Sequence, residues 1–404
     1  MVQPANLTVL CLASYYKGTE FLRECKRQGC RVLLLTSQSL EKEEWPRESI
    51  DEIFYLPDQD RKWNLQDAIL GVSDLAKKES IDRIVPLDDF DLETAAALRE
   101  HLRVGGMGET TTRYFRDKLA MRAKAQDEDL PVPPFIHVLN REKLRNFVHG
   151  ISPPWVLKPR SQAGAIGIKK ITSAEELWQA IDKLGDQQSF YLLEQYVPGD
   201  IYHVDSIIYE RKLLFSIASR YGTPPMDVSH GGGVFTTRTI PPGSPEEKEL
   251  TELNERVLEA FNLVRGVSHS EFIRAWDGGR LYFLETSARV GGAHIAELVE
   301  AATGINLWAE WAKIEVVAGK NPYHVPVAKK DSAGLVISLA RQQWPDTSEY
   351  CDSEIVWRMN KEHHAGLIVK SSSPERVQAL VEGYSRRFQQ DFMAYHPPQE
   401  KPTH

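Results

Sequence analysis

The chain has 404 residues, of which 42% are hydrophobic and 26% are charged, a composition typical of a globular protein with two or three domains. Its formal net charge of -8 argues against broad binding to nucleic acid or to an anionic membrane surface. The four cysteines lack zinc-type spacing and are expected to be free thiols in a reducing compartment. No signal peptide and no membrane-length apolar run is evident, so we expect a cytoplasmic protein.

The first 110 or so residues alternate short apolar strands with amphipathic helices. Strands are predicted over 7–12, 31–36 and 82–87, and helices over 19–28 and 91–102. This alternation predicts a parallel α/β layer. The loop ASYYKG after the first strand is not GxGxxG, so a dinucleotide site is not indicated.

The rest of the chain changes in character twice. A basic helix is predicted over 112–125 and is closed by LPVPPF. Antiparallel hairpins follow from Trp155. A capping box at Ser173 opens a helix with Leu177, Ile181 and Leu184 on one face, and a second helix is predicted over 245–262. A polar linker is predicted over 319–330. Strands over 333–339 and 365–369 and a helix capped by Ser373 complete a small C-terminal α+β segment.

The stretch 267–294, VSHSEFIRAWDGGRLYFLETSARVGGAH, reads as a hairpin with an Asp-Gly-Gly turn. A three-residue turn centred on Gly278 would place Glu271 opposite Glu285, and His269 opposite Ser287. Two carboxylates about 5 Å apart on one face need a cation between them, and oxygen ligands suit Mg²⁺ or Mn²⁺. The alternative is a solvated surface hairpin, since a turn one residue longer or shorter would separate the two carboxylates.

Two further segments are candidates for nucleotide binding. In LKPRSQAGAIG, Lys158 precedes a turn whose Ser161, Gly164 and Gly167 would let backbone amides meet a phosphate; a mobile hairpin loop is an equally good interpretation. The strand FYLLEQYVPG ends in a short polar hinge, which would offer backbone groups to an adenine edge or would simply end the strand.

The sequence does not decide the roles of several other polar residues. Lys118 and Arg122 are four residues apart on one helical face, a pattern more typical of surface cations. His203 and Asp205 share one side of a strand. The histidines His203, His230 and His269 are acid–base or substrate candidates, or ordinary structural residues.

Five motifs occur along the chain in the order RDKLAMR, LKPRSQAGAIG, LLEQYVPGD, HSEF and LETSARVGG. Their order and spacing resemble those of the ATP-grasp superfamily over roughly residues 5–315. The E-x-x-A-R-x-x-G form from Glu285, and the segment HHAGLIVKSSSPERVQ, resemble L-amino acid ligases and related carboxylate–amine ligases.

The resemblance implies a role for each matching residue. Lys118 and Lys158 match lysines that contact the nucleotide phosphates, and 161–167 matches the loop that closes over them. Glu271 and Glu285 match the magnesium-bridging carboxylates, and Arg289 matches the arginine that stabilises the acyl-phosphate step, so Arg289 and Lys158 are the expected catalytic residues. The adenine and ribose region is matched by Glu194, Gln195, Tyr196, Val197, Asp200 and His203. Ser287 stands where many such enzymes have Asn, which puts a third protein ligand in doubt.

The resemblance also implies an organisation and a function. We expect a Rossmann-like pre-ATP-grasp domain over 1–112, an ATP-grasp domain over 113–318 (lobes 113–189 and 190–318), and a C-terminal subdomain over 331–404. The expected enzyme is an ADP-forming ligase that uses ATP and Mg²⁺ (or Mn²⁺) to join a small carboxylate and an amine, with no nucleic-acid or membrane partner; homodimers are common among similar enzymes. The alternatives are a biotin-carboxylase-like bicarbonate-dependent enzyme and a non-catalytic nucleotide-binding module.

Overall fold

The computed structural model describes residues 7–59, 62–164, 166–226, 228, 232–318 and 322–394. The N-terminal part of the chain forms the parallel layer that the alternating pattern predicts. Four strands pair in the order β3-β2-β1-β6, all in parallel. Two-residue strands β4 and β5 form a separate hairpin. The bounds are β1 Thr8–Ala13, β2 Arg31–Ser37, β3 Glu52–Leu56, β4 Asp58–Gln59, β5 Lys62–Trp63 and β6 Arg83–Pro86.

A second, antiparallel sheet of four strands has the order β7-β10-β8-β9. Its apolar face packs on the helices Arg141–Gly150 and Ala174–Leu184 through Leu144, Leu177 and Ile181. The side chain of Ser173 accepts a hydrogen bond from the amide of Glu176 at 3.2 Å, as the capping-box pattern predicts. The bounds are β7 Phe135–His137, β8 Trp155–Pro159, β9 Lys169–Ile171 and β10 Tyr191–Gln195.

The third sheet has eight strands in the order β15-β14-β11-β12-β13-β16-β18-β17. The last three come from the C-terminal segment, which extends this sheet because β16 pairs with β13. The short edge strand β17 was not predicted. The bounds are β11 Gly199–Tyr209, β12 Lys212–Tyr221, β13 Phe235–Thr239, β14 Arg265–Ala275, β15 Leu281–Ser287, β16 Ser332–Leu339, β17 Ile355–Arg358 and β18 His364–Ser371.

The helices begin at residues that the sequence marks. Asp117 caps the amides of Leu119 and Ala120, so the basic helix starts at Lys118, later than the expected residue 112. The described α-helices are Thr19–Arg27, Leu65–Leu75, Leu92–Leu102, Glu109–Arg113, Lys118–Asp127, Arg141–Gly150, Ala174–Leu184, Pro245–Ala260, Ile295–Thr303, Leu307–Val317 and Pro374–Asp391. Among the described residues no helix has the length and apolar character that crossing a bilayer requires.

The β14–β15 hairpin confirms the predicted pairing but corrects its cause. Glu271 lies opposite Glu285, and His269 lies opposite Ser287. Near the turn, however, Arg274 pairs with Leu281 and the Ala275 amide donates to the Arg280 carbonyl at 2.9 Å, so the predicted three-residue turn centred on Gly278 is wrong. A β-bulge between Glu271 and Phe272, with Leu284 as the extra residue on β15, shifts the register by one. The bulge, rather than the turn, therefore puts both carboxylates on one face.

Candidate active site

The two carboxylates of the hairpin face a lysine and a tyrosine. Lys118 Nζ lies 2.6 Å from Glu285 Oε2 and donates to the carbonyl of Gln162 at 2.7 Å. The Tyr221 hydroxyl donates to Glu271 Oε1 at 2.9 Å. Although burial by itself raises the pKa of Glu285, the charges of Lys118 and Lys158 lower it. The face therefore offers carboxylate oxygens from two residues, which are suited to a hard divalent cation.

Lys158, Glu194 and Arg122 form a buried charged trio next to these carboxylates. Their exposures are 6%, 4% and 0%. Glu194 Oε1 accepts from Lys158 Nζ, and Glu194 Oε2 lies 3.1 Å from Arg122 Nε and 3.0 Å from Nη2. Burial and the charge of Arg122 lower the pKa of Lys158 to about 8, against the opposing effect of Glu194. Two cations share one carboxylate here, so the trio retains positive charge.

Arg122 was interpreted from sequence as one of a pair of surface cations, and that interpretation is wrong. Its side chain is fully buried, with the guanidinium 5.9 Å from the Phe283 ring centroid. It links the helix Lys118–Asp127 to β10 through Glu194 and to β15 through the carbonyl of Leu284. The four-residue spacing from Lys118 was the available signal, but it does not tell a buried face from an exposed one.

The predicted loop and hinge lie at opposite ends of the antiparallel strands β8 and β10, since the loop follows β8 and the hinge ends β10. Gly164 and Gly167 have φ of +69° and +72°, which glycine adopts without strain; Ser161 is partly buried, and residue 165 lies outside the described chain. In the hinge, the amides of Gln195 and Tyr196 donate to the carbonyls of Pro134 and Pro154.

Glu194 and Val197 of the hinge differ in whether their polar groups are already hydrogen-bonded. The Glu194 side chain points into the buried trio, so it is engaged by Lys158 and Arg122. Over the part of the chain that the structure describes, the Val197 amide has no protein hydrogen-bond partner. Asp200, at the start of β11, is paired with Arg220 at 2.8 Å.

His203, Asp205 and His269 form a buried hydrogen-bonded chain behind Glu271. Asp205 accepts from Nδ1 of His203 at 2.7 Å and of His269 at 2.9 Å, and His269 Nε2 lies 3.7 Å from Glu271 Oε1. Burial lowers the pKa of His203. Burial opposes protonation of His269 as well, but Asp205 and Glu271 raise its pKa to about 9.

These protonation states give each hydrogen bond among His203, Asp205 and His269 one donor and one acceptor. A neutral His203 carries its proton on Nδ1, towards Asp205, and accepts at Nε2 from the Thr237 hydroxyl, 2.8 Å away. A Cβ at Gly291 would lie 3.0 Å from Asp205 Oδ1 and from His269 Nδ1, which explains glycine there. The three donor atoms lie within 4.8 Å of one another, but each already has a hydrogen-bond partner. His230 lies outside the described residues.

Arg289 is held from the N-terminal layer by Asp89, a residue that the sequence did not single out. Its Nε donates to Asp89 Oδ2 at 2.8 Å, and the Ser287 hydroxyl donates to Asp89 Oδ1. Burial favours neutral forms of both groups, yet their mutual attraction raises the pKa of Arg289 and lowers that of Asp89. The acidic run DDFD after strand β6 was the only sequence signal for this contact.

Comparisons with known proteins bear on the family and the fold. The model of a family described as "ATP-grasp domain" matches residues 151–297. Residues 151–297 therefore resemble an ATP-grasp domain. The whole chain also superposes on the L-amino acid ligase from Bacillus licheniformis with a TM-score of 0.76 at 18% identity, covering 97% of this chain and 99% of that one. The expected ATP-grasp fold is therefore confirmed.

Curated relatives of this chain include two kinds of ligase. The L-arginine-specific L-amino acid ligase of Bacillus subtilis is 27% identical over 255 residues, 61% of each protein. The D-alanine–D-alanine ligase of Acinetobacter baylyi is 25% identical over 212 residues, 50% of this chain and 66% of the relative. The chain thus spans just under two thirds of the length of these relatives. The resemblance to amino acid ligases that the motifs indicate is confirmed.

Proposed function

We propose that this protein is an ADP-forming, ATP-dependent carboxylate–amine ligase that acts on amino acids or on a small carboxylic acid and an amine. The observation that carries the proposal is that Glu271 and Glu285 lie opposite each other with Lys118 in contact with Glu285. Lys158 and Arg289 lie close enough for their charges to act on Glu285 or be affected by it. The names of the curated relatives, which are amino acid ligases and D-alanine–D-alanine ligases, support the same reaction class.

The nucleotide phosphates would be held by Lys158 and the loop. Lys158 lies beside Arg122, and the two cations together exceed the charge of Glu194, which they share. This excess of buried positive charge fits a polyphosphate. Lys118 and the loop of Ser161, Gly164 and Gly167 would contact the phosphates. The hinge Glu194, Gln195, Tyr196 and Val197, followed by Asp200, would surround adenine and ribose. His203, expected from the sequence to join them, is fully buried with both ring nitrogens hydrogen-bonded, so it would not contact the nucleotide.

Glu271 and Glu285 would hold Mg²⁺ or Mn²⁺. The fit rests on two carboxylates on one face with Lys118 at their edge. When bound, the metal would neutralise charge on the phosphate oxygens. Ser287 is engaged by Asp89, which fits the expectation that it adds no third ligand.

The reaction would proceed in two displacements. An oxygen of the carboxylate substrate attacks the γ-phosphorus of ATP, the bond to the bridging oxygen breaks, and ADP leaves. The amine nitrogen then attacks the carbonyl carbon of the acyl phosphate, loses a proton, and displaces inorganic phosphate. Arg289 carries a permanent charge and would stabilise the negative charge that develops on the oxygens in both steps.

The domain organisation proposed with this function is 1–112, 113–318 and 331–404. The substrates would be small molecules, and the buried thiols Cys11, Cys25 and Cys30 support a reducing, cytoplasmic setting.

The test is a pairwise amino acid screen that measures ADP, phosphate and product mass. ADP release should require a carboxylate and an amine together, and the product should be lighter than their sum by one water. Glu271→Gln/Glu285→Gln should abolish turnover while leaving the fold intact by circular dichroism. If no carboxylate or amino acid of a broad panel stimulates ADP formation, the ligase assignment fails.

A further inference from the structure

Arg122 occupies a position that the reaction above does not explain. It is fully buried on the helix Lys118–Asp127, and burying a guanidinium is costly unless it is paired and hydrogen-bonded. Its partners are Glu194, at 3.1 Å from Nε, and the carbonyl of Leu284. Each partner leads to a different part of the candidate site.

The first contact leads to the phosphate lysine. Glu194 uses one oxygen for Arg122 and the other for Lys158. Arg122 therefore fixes the carboxylate that orients the Lys158 ammonium. The planar guanidinium determines the direction of this contact, because its N–H groups have a fixed fork geometry.

The second contact leads to the metal carboxylates. Leu284 is the extra residue of the bulge that puts Glu271 and Glu285 on one face. A bulge leaves backbone groups outside the strand ladder, and an unpaired buried carbonyl would cost free energy. Arg122 Nη1 donates to that carbonyl, so the same side chain stabilises the bulge next to Glu285.

We propose that Arg122 is a positioning residue that couples the two halves of the site, holding Lys158 through Glu194 and the Glu285 side of the hairpin through the Leu284 bulge. The inference rests on the proposed function, since it assumes that these groups bind MgATP. It adds a residue that acts through others and contacts neither substrate nor metal.

The test measures direct binding of ATP, with Mg²⁺, by calorimetry in Arg122→Met, Arg122→Lys and the matched control Lys124→Met. Lys124 lies on the same helix and pairs with Glu128 at the surface, so its replacement should leave ATP affinity within about twofold. Arg122→Met should weaken ATP binding by about tenfold or more, because the charged hydrogen bonds to Glu194 and to the Leu284 carbonyl are both lost.

The lysine variant separates positioning from general stability. A single ammonium can pair with Glu194 but cannot also reach the Leu284 carbonyl, so Arg122→Lys should restore most of the ATP affinity lost in Arg122→Met. It should still need about threefold or more extra Mg²⁺ for half-maximal ATP binding. If Arg122 were merely structural, its replacement would lower ATP affinity and thermal stability together. Arg122→Lys would then not restore ATP affinity while leaving the Mg²⁺ requirement raised.

The contact of Arg122 with Glu194 can also be tested without nucleotide. The acetylation rate of Lys158 against pH, followed by mass spectrometry, reports its pKa; the charged groups that act on it are Glu194, Arg122 and Glu285. Arg122→Met should raise that pKa, because Glu194 then serves one cation. Unchanged Lys158 reactivity, or variants that bind ATP as tightly as the wild type, would overturn the inference alone. A wild-type protein that binds no ATP overturns both the inference and the proposed function.

Discussion

The buried charged side chains of the site lie in a pair and a trio, and these contacts affect the pKa values of several of these groups. Arg289 and Asp89 neutralise each other. Lys158 shares Glu194 with Arg122, and burial together with the charge of Arg122 lowers its pKa to about 8. A lysine with such a pKa is charged at neutral pH but loses its proton within the range in which enzymes are assayed.

This leads to a pH prediction for ATP recognition. Below about pH 8 Lys158 is protonated and attracts phosphate, and above it the ammonium is lost. We expect kcat/KM for ATP, which reports the free enzyme, to fall as the pH rises above 8. In Lys158→Arg the guanidinium stays charged, so this alkaline decline should disappear even if the overall rate is lower. The same decline in both proteins would contradict the assignment to Lys158.

At the level of elements, the β14–β15 hairpin depends on one irregularity. Apart from the bulge, the pairs from Phe272 with Phe283 to Arg274 with Leu281 follow one register, and that register would not bring Glu271 opposite Glu285. Because side chains alternate between faces, one residue more or less moves every later side chain to the other face.

Moving the second carboxylate by one residue should therefore separate it from Glu271. The exchange Leu284→Glu/Glu285→Leu places that carboxylate at the extra position of the bulge, no longer opposite Glu271, and should raise the Mg²⁺ requirement for ATP binding by at least about tenfold. Insertion of one glycine after Gly278 lengthens only the exposed turn and should leave that requirement unchanged. Calorimetric titration of ATP at several Mg²⁺ concentrations measures both. Equal behaviour of the two variants would show that the bulge does not set the metal site.

At the scale of the whole molecule, the C-terminal segment completes the largest sheet. Strand β16 pairs with β13 and β18 pairs with β16. A cluster of apolar side chains from these strands and from the last helix is buried beneath them, including Val336, Leu367 and Phe388. Each buried side chain of this kind contributes about 1.5–3 kcal/mol.

A chain truncated after Lys330 should consequently lack a cooperative thermal transition, since β13 would become an unpaired edge and the cluster would be lost. The control removes only residues 395–404 and should keep the melting temperature of the full chain, because the whole cluster remains. Circular dichroism melts compare the two. A cooperative transition in the 1–330 chain would mean that the C-terminal segment is dispensable for the fold.

Local patterns in the sequence determined much of the fold. The strand and helix periodicities gave the parallel layer, the caps at Ser173 and Ser373 marked two helix starts, and the motif order led to the ATP-grasp fold. Each of these signals depends on residues close together in the chain, where propensity and alternation act directly. Opposition of Glu271 and Glu285 was predicted as well, although through the wrong turn.

Only the tertiary structure decided which charges meet. Asp89 reaches Arg289 across 200 residues of sequence, and Arg122 is buried because β10 and β15 cover the helix face that it shares with Lys118. A charged residue on a helix looks the same in sequence whether water or a second sheet lies above it. The pairing of buried charges is set by packing between distant segments, because each buried charge must find its partner in space rather than along the chain.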